Sequence, residues 1–134
     1  MKDLHEVMAQ ADYLVTALPL VTDTRAVFNS ATFGKSKPGQ VFINIGRGQV
    51  VDEAALFEAL TKGSLGGAAC DVFCEEPLPN TSPLWEAPNL LISPHNADWT
   101  SDMKHKSVQL FTENCIRYAN GQELMCVIDK TLGY

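Results

Sequence analysis

The sequence predicts an α/β fold built on a parallel sheet of about four strands. Short apolar runs alternate along the chain with segments of helical periodicity, which is the order that strand–helix–strand units require. The apolar runs contain few polar residues, a pattern typical of parallel strands that are covered on both faces. A length of 134 residues, with 46% apolar and 19% charged residues, suits one domain with a single core.

The first part of the chain predicts two strands and two helices. Residues 2–11 place apolar side chains at helical spacing and predict a short helix. The apolar run at 12–18 predicts the first strand, which Pro19 ends because proline cannot donate a ladder hydrogen bond. Residues 24–35 predict a weaker helix, and the run at 41–45 predicts the second strand.

The middle of the chain predicts a helix and two further strands. Asp52 is the expected N-cap of the helix, and Gly63 is the expected stop. Residues 66–72 predict a third strand made of small residues, and residues 90–93 predict a short fourth strand.

The end of the chain predicts the longest helix, over residues 101–120, followed by an apolar tail at 124–128. Helical spacing places four residues on one face of this helix: Val108, Phe111, Cys115 and Tyr118. Between the third and fourth strands, residues 73–88 form a loop rich in proline.

Composition argues against several classes of protein. Sixteen acidic against ten basic residues give a net charge of −6, which is unsuited to nucleic acid or an anionic membrane surface. No apolar run approaches the roughly 18 residues of a membrane-spanning helix. The N-terminus carries acidic residues where a signal peptide would be basic, so we expect a soluble, cytoplasmic protein.

The four cysteines do not predict a metal or disulfide site. Cys70 and Cys74 are separated by three residues, unlike the two-residue spacing of zinc and redox pairs. We expect all four cysteines to be reduced, to act as small buried hydrophobes and to bind no metal: Cys70, Cys74, Cys115 and Cys126.

Three predicted strands are followed by residues with useful chemistry. Arg47 follows the second strand, Asp71 and Glu76 follow the third, and His95 follows the fourth. Arg47 is suited to hold a carboxylate through two hydrogen bonds, with its flanking glycines allowing backbone and ligand to approach closely. His95 is a candidate general acid or base, and Glu76 is able to orient it and raise its pKa.

Each of these residues also has an ordinary structural explanation. An arginine in a glycine turn is usually solvated, a glutamate before proline often only starts a turn, and a histidine at a strand end is commonly a surface residue. Their joint placement favours a site, because ligands of parallel sheets bind beyond the carboxyl ends of the strands.

Four segments carry a resemblance to a known family. They are residues 17–20 with Thr24, residues 43–52 around Arg47, residues 71–79 around Glu76, and residues 93–95 at His95. In this order they resemble the motifs of the D-isomer-specific 2-hydroxyacid dehydrogenases, and together they cover roughly residues 4–120. That family includes glyoxylate/hydroxypyruvate reductases, phosphoglycerate dehydrogenases and D-lactate dehydrogenases.

The resemblance implies a Rossmann-type, doubly wound sheet, an NAD or NADP cofactor and a small 2-oxo or 2-hydroxy acid substrate. Arg47 would hold the substrate, His95 would protonate its carbonyl oxygen, and Glu76 would keep His95 protonated. Asp71 matches a position that contacts the nicotinamide amide. The residues implied in cofactor binding are Leu18, Pro19, Thr24, Ile45, Gly46, Asp71 and Asn96.

The glycine fingerprint G-x-G-x-x-G of dinucleotide-binding domains does not occur in the 134 residues. The resemblance therefore implies that residues 1–121 are the C-terminal half of a dinucleotide-binding domain and that residues 122–134 are a tail. The fingerprint half and the substrate domain would lie outside the chain. We expect weak or no NAD(P) binding and no turnover by the isolated chain; the alternative is a truncated, non-catalytic binding or oligomerisation module.

Self-association follows as a further expectation. Without a partner, strand 12–18 would leave an apolar edge in water, and helix 101–120 and the tail would leave apolar side chains exposed. A two-fold homodimer is the commonest way of covering such surfaces.

Overall fold

A four-stranded parallel sheet is the centre of the computed structural model, which describes residues 2–133. The strands are β1 (Tyr13–Thr16), β2 (Val41–Asn44), β3 (Gly67–Cys70) and β4 (Leu90–Ile92), in the order β1-β2-β3-β4. Each pair of neighbours is parallel. The predicted α/β class and the four strands are confirmed, although each strand is shorter than the apolar run that predicted it.

The helices are α1 (Lys2–Gln10), α2 (Ser30–Phe33), α3 (Glu53–Thr61) and α4 (Met103–Ala119), with short 3-10 turns at Gly48–Val50 and Pro83–Glu86. The predicted cap of α3 is confirmed, because the Asp52 carboxylate accepts a hydrogen bond of 3.1 Å from the amide of Ala55. Gly63 follows α3 with a left-handed φ of 73°, which glycine adopts without steric cost. None of the helices within residues 2–133 has the length and apolar character needed to cross a membrane.

The helix predicted over 24–35 is wrong in its length. The observed α2 has four residues, and it begins only after Asn29, whose side chain accepts hydrogen bonds from Ala31 and Thr32. Thr24 lies instead in a separate turn, where its hydroxyl accepts a hydrogen bond from the amide of Val21. Side-chain hydrogen bonds to local backbone compete with helix formation, and here they divide the predicted helix.

The core lies on one face of the sheet. Leu14, Phe42 and Ala68 lie side by side on β1, β2 and β3, and all three are buried. Buried side chains of α1, α2 and α3 belong to the same cluster, including Met8, Phe33 and Leu56. The ring of Phe42 packs edge-on against Phe33, with 5.2 Å between ring centroids.

The opposite face of the sheet is exposed. Tyr13 is 70% exposed and Leu91 is 69% exposed, and Val15 is also exposed on this face. The expectation that both faces are covered is therefore wrong for the described residues. An apolar run predicts that both faces of a strand are buried, but it does not show which element covers each face. Here α1–α3 contribute to a core on one face only.

The described chain divides into two compact units, one ending at Ala97 and the other beginning at Asp98. In the second unit, α4 has no buried residue, and Phe111 and Tyr118 are 71% and 79% exposed. The Asn114 side chain exchanges two hydrogen bonds with the backbone of Met125, which fixes the residues after the helix. The division into residues 1–121 and 122–134 remains a prediction.

The cysteines are free thiols, as expected, but they are not uniformly buried. Cys70 is buried in β3, whereas Cys74, Cys115 and Cys126 are exposed. The prediction of small buried hydrophobes is therefore wrong for three of the four. Burial raises the pKa of the Cys70 thiol to about 12, which keeps it protonated at neutral pH.

Candidate active site

The carboxyl ends of β2, β3 and β4 bring the predicted site residues to one edge of the sheet. Because these strands are parallel neighbours, the segments that follow them leave the sheet in the same direction. Arg47 follows β2, Asp71 and Glu76 follow β3, and His95 follows β4. The structure thus places the proposed arginine, glutamate and histidine on a common rim.

Arg47 lies in a tight turn that Asn44 holds. The buried Asn44 side chain accepts a hydrogen bond from the amide of Gly46 and donates one to the carbonyl of Arg47, both 3.1 Å long. The exposed guanidinium of Arg47 donates to the carbonyl of Gly46 at 2.8 Å. Its remaining donors are therefore available for a ligand.

The glycines beside Arg47 lie against neighbouring backbone, one of the two close approaches that the sequence predicted. A β-carbon at Gly46 would lie 2.7 Å from the carbonyl oxygen of Leu18, and one at Gly48 would collide with the carbonyl group of Phe73. These glycines allow neighbouring backbone segments to approach the turn. The predicted close approach of backbone is therefore confirmed, and the close approach of a ligand stays a prediction.

Glu76 and His95 form a close pair. Glu76 Oε2 lies 2.7 Å from His95 Nδ1, and Glu76 Oε1 accepts a hydrogen bond of 2.8 Å from the amide of Phe73. Each carboxylate oxygen thus has a partner, which sets the direction of the carboxylate towards the imidazole. Because Nδ1 is hydrogen-bonded to Glu76, Nε2 is the ring nitrogen of His95 that can exchange a proton with a ligand.

The charges around this pair favour a protonated histidine. The hydrogen bond and the negative charge of Glu76 raise the pKa of His95, while partial desolvation and the positive charge of Arg47 act in the opposite direction. For Glu76, burial raises the pKa, but the hydrogen bonds from His95 and Phe73 outweigh it and the pKa is lowered. The favoured state is therefore an ionised glutamate beside an imidazolium.

Asp71 lies beneath the rim and is buried. Its Oδ1 accepts hydrogen bonds from the Ser93 hydroxyl at 2.6 Å and the Asn96 amide at 3.0 Å, and its Oδ2 accepts one from the Ala97 amide at 2.8 Å. Burial raises its pKa, but these hydrogen bonds outweigh burial and leave the pKa below its ordinary value. A carboxylate accepts about four hydrogen bonds, so one position on Oδ2 remains for a further donor.

The other residues implied in cofactor binding lie mostly near β1 and β2. Leu18 and Ile45 expose apolar side chains at the ends of these paired strands. The Thr24 hydroxyl donates to the carbonyl of Pro19 at 2.7 Å, so it closes its own loop. Asn96 is exposed, and its amide bonds to Asp71.

A cleft of about 660 Å³ opens beside the histidine. Polar and charged groups line part of it, and the rest is apolar; its walls include Asp71, Phe73, Glu76, Leu78, Trp85, Ile92 and His95. Trp85 is half exposed, and its indole nitrogen donates to the carbonyl of Pro79 at 2.9 Å. Within residues 2–133 no cluster of three or more histidine, cysteine, aspartate or glutamate side chains could hold a metal ion.

Sequence reasoning missed three residues that shape the rim. They are Asn44, Trp85 and Glu53, whose carboxylate accepts a hydrogen bond of 2.6 Å from the amide of Cys74. A polar asparagine within the apolar run 41–45 was a usable signal, since a buried amide needs hydrogen-bond partners. Glu53 had no such signal, because its contact joins segments 21 residues apart. Trp85 bonds within its own proline-rich loop, and nothing in the sequence of that loop shows that it faces the cleft.

The chain is similar in sequence to proteins of one known family. Residues 1–97 match the family model described as D-isomer specific 2-hydroxyacid dehydrogenase, NAD binding domain. A glyoxylate/hydroxypyruvate reductase B from Pectobacterium carotovorum is 42% identical over 120 residues, which are 90% of this chain and 38% of that protein. An uncharacterised protein from Corynebacterium melassecola is 37% identical over 134 residues, which are 44% of its length.

Solved structures match over nearly the whole chain. A D-isomer specific 2-hydroxyacid dehydrogenase from Xanthobacter autotrophicus, crystallised with NADPH, has a TM-score of 0.91 at 36% identity; the match covers 100% of this chain and 55% of that one. An NADPH-dependent glyoxylate/hydroxypyruvate reductase from Sinorhizobium meliloti, crystallised with NADP, has a TM-score of 0.90 at 40% identity, covering 99% and 43%. The chain spans about two fifths of the length of the curated relatives it matches.

Proposed function

Because the chain belongs to the family of D-isomer-specific 2-hydroxyacid dehydrogenases, we propose that it supplies one part of the active site of an NAD(P)-dependent oxidoreductase. The reaction is the interconversion of 2-oxo acids and D-2-hydroxy acids, with glyoxylate and hydroxypyruvate as the favoured substrates. The observation that carries this proposal is the Glu76–His95 pair, 2.7 Å apart, on the same rim as Arg47.

The proposed chemistry follows from the charges of the three residues. Arg47 binds the substrate carboxylate through its free guanidinium donors, which places the neighbouring carbonyl beside His95. His95 donates the proton on Nε2 to the carbonyl oxygen, and the positive rim stabilises the negative charge that develops there. Glu76 keeps the imidazole oriented and protonated before each transfer. The bound nicotinamide cofactor supplies the hydride.

The described residues suit the nicotinamide side of such a cofactor. Leu18 and Ile45 present exposed apolar surface at adjacent strand ends, which suits contact with an aromatic ring. Asp71 Oδ2 accepts one hydrogen bond and has capacity for an amide donor. The 134 residues contain no glycine fingerprint for the pyrophosphate, so we propose that the isolated chain binds NAD(P)H weakly and does not turn over.

A chimera tests the catalytic proposal. This chain would be joined to the part of the Pectobacterium carotovorum reductase that precedes the matched region, and oxidation of NADH and NADPH would be followed with glyoxylate and hydroxypyruvate. We expect activity in the chimera, and His95→Ala should lower kcat by about 10²–10⁴-fold, the range typical of a lost general acid. His105→Ala, in the second unit, is the matched control. A His95→Ala chimera with unchanged kcat would contradict the assignment.

Thermal denaturation with NADH tests the isolated chain. A millimolar Kd would raise the free energy of unfolding by only about 0.4 kcal/mol at 1 mM NADH. A shift of many degrees in Tm would show that these residues bind the cofactor well by themselves.

We propose in addition that the chain forms a homodimer, which is also compatible with the alternative of a non-catalytic binding or oligomerisation module. The supporting observation is apolar exposure on β1, at the edge of the sheet, and on α4, where Tyr13 and Phe111 are 70% and 71% exposed. Light scattering should return twice the 14.6 kDa of one chain. A well-folded monomer at micromolar concentration would contradict this proposal.

A further inference from the structure

Asp71 accepts hydrogen bonds from four of the five residues in the segment 93–97, which carries His95. Its carboxylate accepts hydrogen bonds from Ser93 at 2.6 Å, Asn96 at 3.0 Å and Ala97 at 2.8 Å. Its backbone carbonyl accepts a fourth, of 2.8 Å, from the amide of His95 itself. A single buried residue at the end of β3 therefore holds the turn that follows β4.

The backbone of His95 needs such support. Its φ of 52° lies in the left-handed region, which non-glycine residues adopt at an energetic cost. Strained backbone of this kind persists when surrounding contacts determine it, and it is concentrated at functional sites. The hydrogen bonds to Asp71 act on both sides of His95 and on His95 itself, so they are well placed to hold this conformation.

The orientation of the imidazole depends on that backbone. Nδ1 of His95 meets Glu76 at 2.7 Å, yet the imidazole is half exposed and therefore lightly constrained by packing. If φ of His95 relaxed to a negative value, the side chain would leave Glu76. The turn, and hence Asp71, sets whether the Glu76–His95 pair can form.

We propose that Asp71 is a positioning residue whose carboxylate holds His95 where its Nδ1 can form the hydrogen bond with Glu76. This inference rests on the proposed function of His95 and deepens it. It assigns to Asp71 a role that does not require a bound cofactor, because three of its acceptor positions already serve the turn.

Amide hydrogen exchange and NMR of the 134-residue chain test the inference without catalysis. Asp71→Asn preserves the shape of the side chain but places an NH₂ group where Oδ2 faces the amide of Ala97. We expect exchange at Ala97 to accelerate at least about tenfold, since hydrogen bonds to charged acceptors are among the stronger ones. The Nδ1 proton signal that reports the His95–Glu76 hydrogen bond should weaken or vanish.

Asp52→Asn is the matched control, because it makes the same change at a carboxylate that caps α3. Exchange at Ala97 and the His95 signal should be unchanged in this variant, and amides of β1–β3 should be unchanged in both. If Asp71→Asn left Ala97 protected and the His95 signal intact, the inference would be overturned. Equal losses in the control would also overturn it, since the effect would then be general.

Ser93→Ala keeps the test decisive if Asp71→Asn does not fold. This variant removes one donor to Oδ1 and leaves the carboxylate in place, so we expect a smaller loss in the same direction. Unchanged exchange at Asn96 and Ala97 together with an unchanged His95 signal would count against the proposal.

Kinetics of the chimera separate positioning from cofactor contact. A positioning role predicts that Asp71→Asn lowers kcat, in addition to any rise in the KM for NADH that loss of the proposed nicotinamide contact would cause. A raised KM for NADH with unchanged kcat would assign Asp71 to cofactor contact and overturn the inference. An inactive parent chimera would contradict the proposed function, whereas the NMR result would still decide whether Asp71 holds His95.

Discussion

The turn after β2 and the turn after β4 present Arg47 and His95 at the same edge of the sheet, but different forces hold them. The arginine turn is confined by backbone contacts, since Gly46 and Gly48 lie against the segments after β1 and β3, and by the neutral side chain of Asn44. The histidine turn is held by hydrogen bonds to the charged side chains of Asp71 and Glu76. The first turn should therefore tolerate no added atoms, and the second should respond to charge and pH.

Gly48→Ala should have the largest effect on stability. The added methyl group would collide with the carbonyl group of Phe73, which is backbone and cannot rotate away. We expect the free energy of unfolding to fall by about 3 kcal/mol or more, at the upper end of overpacking costs. Urea denaturation measures this change.

Gly63→Ala is the control for Gly48→Ala. Gly63 has a positive φ but open space around its α-carbon, so the cost should be only about 1–2 kcal/mol. Equal effects at the two glycines would contradict a steric origin for the rigidity of the arginine turn.

Asn44→Ala should have the next largest effect. Removal of the buried amide leaves the Gly46 amide and the Arg47 carbonyl without their side-chain partners, and we expect a loss of about 2 kcal/mol. Asn120→Ala, at the exposed end of α4, should change the free energy of unfolding by less than about 0.5 kcal/mol. If both variants were equally stable in urea, Asn44 would not be what holds the arginine turn.

Glu76→Gln should change the titration of His95 more than it changes the free energy of unfolding. The negative charge of Glu76 raises the pKa of His95, so its removal should lower that pKa towards or below the ordinary value, with Arg47 still opposing protonation. In the chimera, reduction requires protonated His95, and the loss of activity with rising pH should therefore begin at a lower pH.

NMR titration of the His95 ring checks the Glu76→Gln prediction directly. Glu75→Gln, which removes the same charge at the neighbouring exposed position, should leave the titration almost unchanged. An identical His95 titration in Glu76→Gln and the parent chain would show that the pair seen in the structure does not control protonation.

Arg47→Ala should have the smallest effect on stability, within about 0.5 kcal/mol, because the side chain is exposed and bonds only within its own turn. Its effect on substrate binding in the chimera should be the largest of the three rim residues, seen as a raised KM for the 2-oxo acid. Arg47→Lys keeps the charge but cannot form bidentate hydrogen bonds to a carboxylate, so it should recover only part of the substrate binding. A KM unchanged in both variants would remove Arg47 from the site.

Local patterns predicted the elements on which the site depends. The apolar runs located all four strands, and Asp52 marked the start of α3, because burial and capping depend on neighbouring residues. The length of α2 was misjudged, since the Asn29 cap and the Thr24 turn compete with a longer helix. The position of Asn44 in an apolar run indicates that its amide needs hydrogen-bond partners, but the geometry of the turn decides that these are Gly46 and Arg47.

The sequence by itself determined the α/β class, the parallel strands and the identity of the three rim residues, since these follow from periodicity and from motifs along the chain. Only the tertiary structure decided that Glu76 meets His95 through Nδ1, that Asp71 holds the histidine turn, and that one face of the sheet is exposed. The physical reason is that these features depend on which segments far apart in sequence come into contact and which do not. Their distances depend on how the strand ends are arranged in space, and no local pattern of residues records that arrangement.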